Sequence, residues 1–451
     1  MPDSVEQGVN KLRDAERRLV PAPDDNSARS SRSKIQSVPR ILRSHRSLDK
    51  YFEPRVLAMG PIHHDKCIEA EKLKYKLAAD FIKDSGCTYD QLYKQILDRI
   101  AQIKDCYDNK ATKCYDDDET LAWMLFIDGC STLQFMHKID RLEEFGMNRT
   151  QAAFARLDLF LLENQLPYQL LELLMSSTTK NQELFSSIQS FVGMQIIAAE
   201  KPLEYSRERK IPVHEEAIRA AHLFKEAAYQ AVYHTAYHPT YHLLDFLRER
   251  MLGLPPFHHD DYRKEDNSPS FRNAQELKAA GVHFRRSKTS FLCDISFTSL
   301  GFVGFLSLPP INEDAMSLFL NLIAYEMCPD FLNNFGVTSY FSFLSSLIAH
   351  PDDAKQLRSA RILCNLRGSD QALVDLFHEI GPDLVLAHPM HNFINAKLEK
   401  HYKTKWKAWF AQFFEDHFSS PLVMLAFIGA LTALVLSGIQ TWYTVLSFYQ
   451  K

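Results

Sequence analysis

The sequence predicts a mainly α protein: a large helical domain with a small antiparallel β meander, followed by one C-terminal transmembrane helix. Three observations carry this. Glycine is scarce, 15 residues in 451, against about 7% in average usage, so sharp turns and backbone cradles for phosphate are few. Apolar residues recur at four-residue steps over most of the chain, the period of one helix face. The stretch from His417 to Gln450 carries no Asp, Glu, Lys or Arg, whereas a water-facing helix needs a polar stripe.

Taken in order, residues 5–20 have the pattern of a short charged helix, with Leu12, Ala15 and Val20 on one side. Residues 21–37 are rich in Pro, Ser and Asp and read as the end of a flexible N-terminal lead spanning 1–37. From Arg29 to Arg55 eight basic residues face only Asp49 and Glu53. Such a run is either solvated or suited to an anionic membrane surface. Leu73, Leu77 and Phe81, then Leu92, Ile96, Ile100 and Ile103, give helices, and the acidic string Asp116-Asp-Asp-Glu119 gives a loop. Two strongly apolar segments follow, 121–133 and 157–174. Asp128 interrupts the first and Glu163-Asn164-Gln165 the second. Buried polar groups cost several kcal/mol unless partnered, so these residues are expected to bond helix ends or one another. Pro167 suits the first turn of the helix after it.

Helical periodicity continues over 185–199 and 217–251, and Pro255, Pro256 and Pro269 break it. The globular domain is expected to span 38–416, with candidate lobes 38–252 and 273–416 joined by a linker at 253–272. Beyond the linker the period changes to two. Val282 and Phe284, then Phe291, Cys293, Ile295 and Phe297, then 302–308 alternate as short strands of the antiparallel meander, which Pro309-Pro310 ends. Helices return at 314–327, 340–349, 352–365, 369–379 and 392–418. Residues 417–451 form the anchor: about 20 apolar residues cross a hydrocarbon core of about 30 Å, and 421–441 suffice.

Composition limits the function classes. A net charge of −4 gives no general affinity for nucleic acid. Eight cysteines without a C-x-x-C pair do not make a disulfide framework and fit a reducing compartment. The first residues lack the apolar run of a signal peptide. Lys397, Lys400, Lys403, Lys405 and Lys407 precede the span and Lys451 follows it. The positive-inside bias then leaves the bulk of the chain in the cytosol, as a single-pass, tail-anchored protein. The opposite topology would expose the sequon Asn148-Arg-Thr150 to glycosylation.

Several strings, in order over residues 38–450, resemble a plant family known as domain of unknown function 247. They include Met59-Gly-Pro-Ile-His-His64, Asp128-Gly-Cys130, Asp158-Leu-Phe-Leu-Leu-Glu-Asn-Gln-Leu-Pro167, Ala280-Gly-Val-His-Phe284, Asn321-Leu-Ile-Ala-Tyr-Glu326 and the anchor with Gln440-Thr-Trp-Tyr443. The resemblance implies a single-pass plant membrane protein with no established enzymatic activity. Some relatives in grasses are linked to pollen self-incompatibility, which implies a recognition role. Ile62, Met327 and Ser419-Ser420 depart from the family's pattern.

Histidine offers the candidate chemistry. His63-His64-Asp65 and His258-His259-Asp260 combine ring and carboxylate groups that zinc accepts, but neither has the spacing that turns two ligands to one ion on a helix. His234, His238 and His242 have it, yet Pro239 interrupts the helix they need. There is no G-x-S-x-G, H-E-x-x-H, Walker loop or G-x-G-x-x-G. No catalytic, metal or cofactor residue is therefore assigned. The expected function is a non-enzymatic, membrane-tethered module that binds another protein or itself. The alternative is a hydrolase with a site around His63, His64, Glu163 and Asn164. In the span Gly429, Ala433 and Ser437 lie four apart, beside Ala426 and Ala430, a row that lets two helices approach in lipid.

Overall fold

The computed structural model describes residues 34–64, 66–115, 117–200, 241–253, 272–300, 303–312, 315–331, 335–364, 369–384, 389–402 and 421–449. Expectations for 5–20, for 1–33 of the lead, for the 217–240 part of the helix expected over 217–251, for 254–271 of the linker and for 403–418 lie outside these residues.

The first half is a set of helices around one almost wholly buried helix. Ile35 pairs with Tyr107 in an isolated parallel bridge, and α1 (Arg40–Arg43) and α2 (Gly60–His63) follow. Helix α3 (Ile68–Ser85) ends at Gly86, which takes the left-handed conformation. A capping box between Thr88 and Gln91 starts α4 (Tyr89–Leu97), which leads into α5 (Ile100–Lys104). Helix α6 (Asp118–His137) begins where the Asp117 carboxylate accepts the Thr120 N–H. From Leu121 to Met136 all its residues but Trp123 are buried, so α6 has no solvent face and other helices surround it. It packs against α3, α4, α8 (Tyr168–Ser176) and α9 (Asn181–Glu200). A Cβ on Gly129 would stand 2.6 Å from Leu174 Cδ1, so glycine leaves α8 its place against α6. Between them α7 (Arg149–Asp158) starts on an Asn148–Gln151 capping box, and α10 (Leu243–Leu252) completes this half.

The second half opens with α11 (Ala274–Ala279) and a small sheet of β1 (Val282–Arg286), β2 (Ser296–Leu300) and β3 (Val303–Leu308). Three strands are present, but their pairing is mixed rather than that of an antiparallel meander. The spatial order is β1-β3-β2; β2 and β3 run antiparallel, with Ser296 opposite Ser307, and β1 runs parallel to β3, with Val282 opposite Gly304. The reason lies in Phe291-Leu-Cys-Asp-Ile295. Their alternation resembles a strand, but the Leu292 and Cys293 N–H groups donate to Met251 and Leu252, at the end of α10. That satisfies carbonyls an α-helix leaves open and carries the chain past β1 to the far edge of the sheet. After Pro310 come β4 (Ile311–Asn312), α12 (Met316–Glu326), α13 (Gly336–Leu347), α14 (Pro351–Ser359), β5 (Leu363–Cys364), α15 (Asp370–Ile380) and α16 (Pro389–Tyr402). The helix expected over 352–365 stops at Ser359: Arg361 has a φ of 57°, and Leu363 and Cys364 pair instead with β4.

Both candidate lobes contribute to one hydrophobic cluster that reaches from Ile35 to Leu398. Polar contacts cross between them as well: Leu162 N–H donates to Asn321 Oδ1 at 2.9 Å, and Arg248 pairs with Glu326 at 2.7 Å. The last element, α17 (Pro421–Tyr449), is of another kind. Its residues 425–442 are apolar and exposed, and among the described residues it is the one helix long and apolar enough to cross a membrane.

Candidate functional site: a buried polar cluster

Helix α7 ends at Asp158, and the chain then makes the turn Leu162–Asn164 before α8. Side chains at and after this helix end meet main-chain groups of the segment 38–60. The Asp158 carboxylate accepts the N–H groups of Arg55, Val56 and Leu57 at 2.8–3.2 Å. Asn164 accepts the Met59 N–H at 2.9 Å and donates to Leu57 and Asp158 carbonyls. Gln165 donates to the Leu159 and Leu161 carbonyls and accepts the Leu244 N–H at the start of α10. Asp128, from α6, accepts the Gly60 N–H at 2.8 Å. Gly60 itself has a φ of +70°, and a Cβ there would lie 3.1 Å from the Gln165 carbonyl oxygen, so the close approach needs glycine.

Glu163 joins this arrangement to charge. It accepts the Val38 N–H at 2.9 Å and the Arg43 guanidinium at 2.7 Å, and His63 Nε2 stands 3.0 Å from Oε2. Burial alone would raise its pKa. Contact with His63, the Arg43 charge and the Val38 N–H overcome that and hold the carboxyl below the ordinary range. Lys74, fully buried on α3, lies 2.8 Å from both Asp128 and Glu71. Burial disfavours its ammonium, but these carboxylates keep its pKa above that of an ordinary lysine.

The residues singled out from the sequence are thus partly together. His63, Glu163 and Asn164 converge, at 1%, 5% and 2% exposure. His64 is half-buried with its ring 6.2 Å from Tyr115. The expectation that Asp128 and Glu163-Asn164-Gln165 bond helix ends is met at Gly60 and Leu244, and loop main chain takes the rest. His242 caps α10, its Nδ1 accepting the Asp245 N–H; burial pushes its pKa down to about 3, so it is neutral. Pro167 is the residue before α8. Asn148 is exposed and caps α7. Asp65, His234, His238, His258, His259 and Asp260 lie outside the described residues, and among those described no group of three His, Cys, Asp or Glu is placed to hold a metal ion.

Sequence reasoning missed Arg43, Lys74 and the pair Arg248–Glu326, where Glu326 also accepts the Val337 and Thr338 N–H groups that start α13. One signal was available. Lys74 falls between Ala70 and Ala78 on the apolar face of α3, and Asp128 interrupts an apolar helix; two opposite charges stranded in apolar stripes are candidates for each other.

A family model described as plant protein of unknown function, domain of unknown function 247, matches residues 35–436. UPF0481 protein At3g47200 of Arabidopsis thaliana is 25% identical over 438 residues, which cover 88% of this chain and 84% of that protein. Putative UPF0481 protein At3g02645 of the same plant is 23% identical over 494 residues, 92% and 91% of the two chains. No solved structure matches.

Proposed function

The chain belongs to the plant family of domain of unknown function 247, and from that premise we propose a single-pass, membrane-anchored, non-enzymatic recognition module that binds another protein or a second copy of itself. The observation that carries the anchor is α17, whose residues 425–442 expose Leu425, Leu434 and Trp442 at 67%, 74% and 69% with no charge among them. An apolar surface of that extent is stable in lipid and not in water. The non-enzymatic reading is supported by how the strings that carry the family resemblance are used. Gly60, Asp128, Asp158, Glu163, Asn164 and Asn321 direct their polar atoms to main chain, to one another or to Arg43, His63 and Lys74, where they specify a fold. The hydrolase alternative draws on these same buried groups.

The lysines before the span support, through the positive-inside bias, a body on the cytosolic side. Proximity labelling from the N-terminus of the anchored chain tests recognition, with residues 403–451 alone as the comparison. The expected result is a set of labelled proteins that the anchor alone does not give. The same set from both means that the body recruits nothing and removes the proposal. Protease added outside intact vesicles should digest an N-terminal tag; protection of the tag reverses the topology.

A further inference from the structure

Outside the polar cluster, a cleft of about 510 Å³ opens between the Arg55–Val56 corner, the start of α3 and the turn before α7. Its size falls in the range of small-molecule sites. Val56, Leu73 and Met147 line its apolar part, and Arg55, Lys66, Lys72 and Lys76 its charged part, with no carboxylate among the lining residues. Lys66 is held by Glu53 at 2.6 Å. Lys72 and Lys76 are exposed, four residues apart on α3, and among the described residues no carboxylate pairs with either. Two neighbouring acids are engaged elsewhere: Glu71 with Lys74, and Glu53 with Lys66 and Arg43. The Arg55 guanidinium rests 5.0 Å from the centre of the Phe154 ring. The amino terminus of α3, an 18-residue helix with no side-chain cap, meets the same cleft at Cys67 and Ala70. Its helix dipole adds partial positive charge there.

We propose that this cleft binds a phosphate-bearing anion of more than one charge. A single carboxylate would answer one cation and leave the others facing empty space. A compact polyphosphate offers several oxygens to Arg55, Lys72, Lys76 and the helix terminus together. Two sources carry that chemistry, a soluble inositol polyphosphate and the phosphorylated headgroup of a membrane lipid. The basic run that ends at Arg55 contributes one of the site's charges.

The test is calorimetric titration of the full-length chain in detergent micelles with two probes, inositol hexakisphosphate and dioctanoyl phosphatidylinositol bisphosphate. Binding of either at low salt, weakened as salt rises, is the expected result. Tighter binding of the first identifies a soluble ligand, and of the second a lipid headgroup. The substitution K72E/K76E should lower affinity by roughly tenfold or more, whereas K355E, at a separate cleft, should leave it unchanged. Should the double reversal disturb folding, K72Q/K76Q keeps the helix and must still weaken binding. No heat with either probe, or undiminished affinity in a folded K72/K76 variant, overturns the proposal.

Discussion

Asn164 shows how one side chain can hold a fold. It makes one accepted and two donated bonds, all to main chain, at 2.7–2.9 Å. Asn164→Ala strands up to three buried backbone groups, each costing about 1–3 kcal/mol. The expected loss is therefore about 3 kcal/mol or more, read as a lower denaturant midpoint. His242 gives a pH dependence with a definite sign. Its folded pKa, about 3, lies below the ordinary 6.5, so the unfolded chain takes up the proton first and stability falls as pH drops through that window. The slope is at most about 1.4 kcal/mol per pH unit. Glu163, held low in the fold, acts in the same direction below the ordinary carboxyl range. His242→Asn keeps a cap acceptor and should flatten the dependence of the thermal midpoint between pH 6.5 and pH 4; an unchanged slope contradicts it. From the sequence, that Glu163-Asn164-Gln165 must be partnered was legible, because their apolar surroundings forced it. Their partners were not: the Met59 and Val38 N–H groups are more than a hundred residues away and carry no side-chain signature.

Among the elements, the helices were the most legible, since α3, α4 and α6 announce themselves by period. The acidic string expected as a loop instead starts α6, with Asp117 as its cap and Asp118 and Glu119 in its first turn. The sheet was legible as strands but not as a pairing. Alternation at 291–297 cannot tell a strand from a turn whose N–H groups close a helix end, and here most of it is the turn. Gly60 gives a test at this scale. Gly60→Ala forces an L side chain into left-handed backbone against the Gln165 carbonyl, which should cost about 1–3 kcal/mol and loosen the segment 55–60 in hydrogen exchange. In α17 the row Gly429, Ala433 and Ser437 leads to a separate expectation, that Gly429→Ile lowers self-association in a membrane reporter assay. Unchanged association would leave recognition to the body.

At the scale of the molecule, the order of the family strings was readable from the sequence, and the core explains why they belong together. Strings as distant as Gly60, Asp128, Asp158 and Asn321 meet within one cluster, a convergence that no local period encodes. The apolar helix α17 was readable because it needs no partner within the chain. Its apolar length is a property of the segment alone. The central claim is that α17 holds this body at a membrane. Its most direct test is flotation of vesicles carrying the full chain after alkaline carbonate extraction, beside the variant with Leu431→Arg and Leu434→Arg at the middle of the span. The chain should float with the lipid, and the variant, with two charges placed in hydrocarbon, should be released; release of the unaltered chain into the soluble fraction would contradict the account.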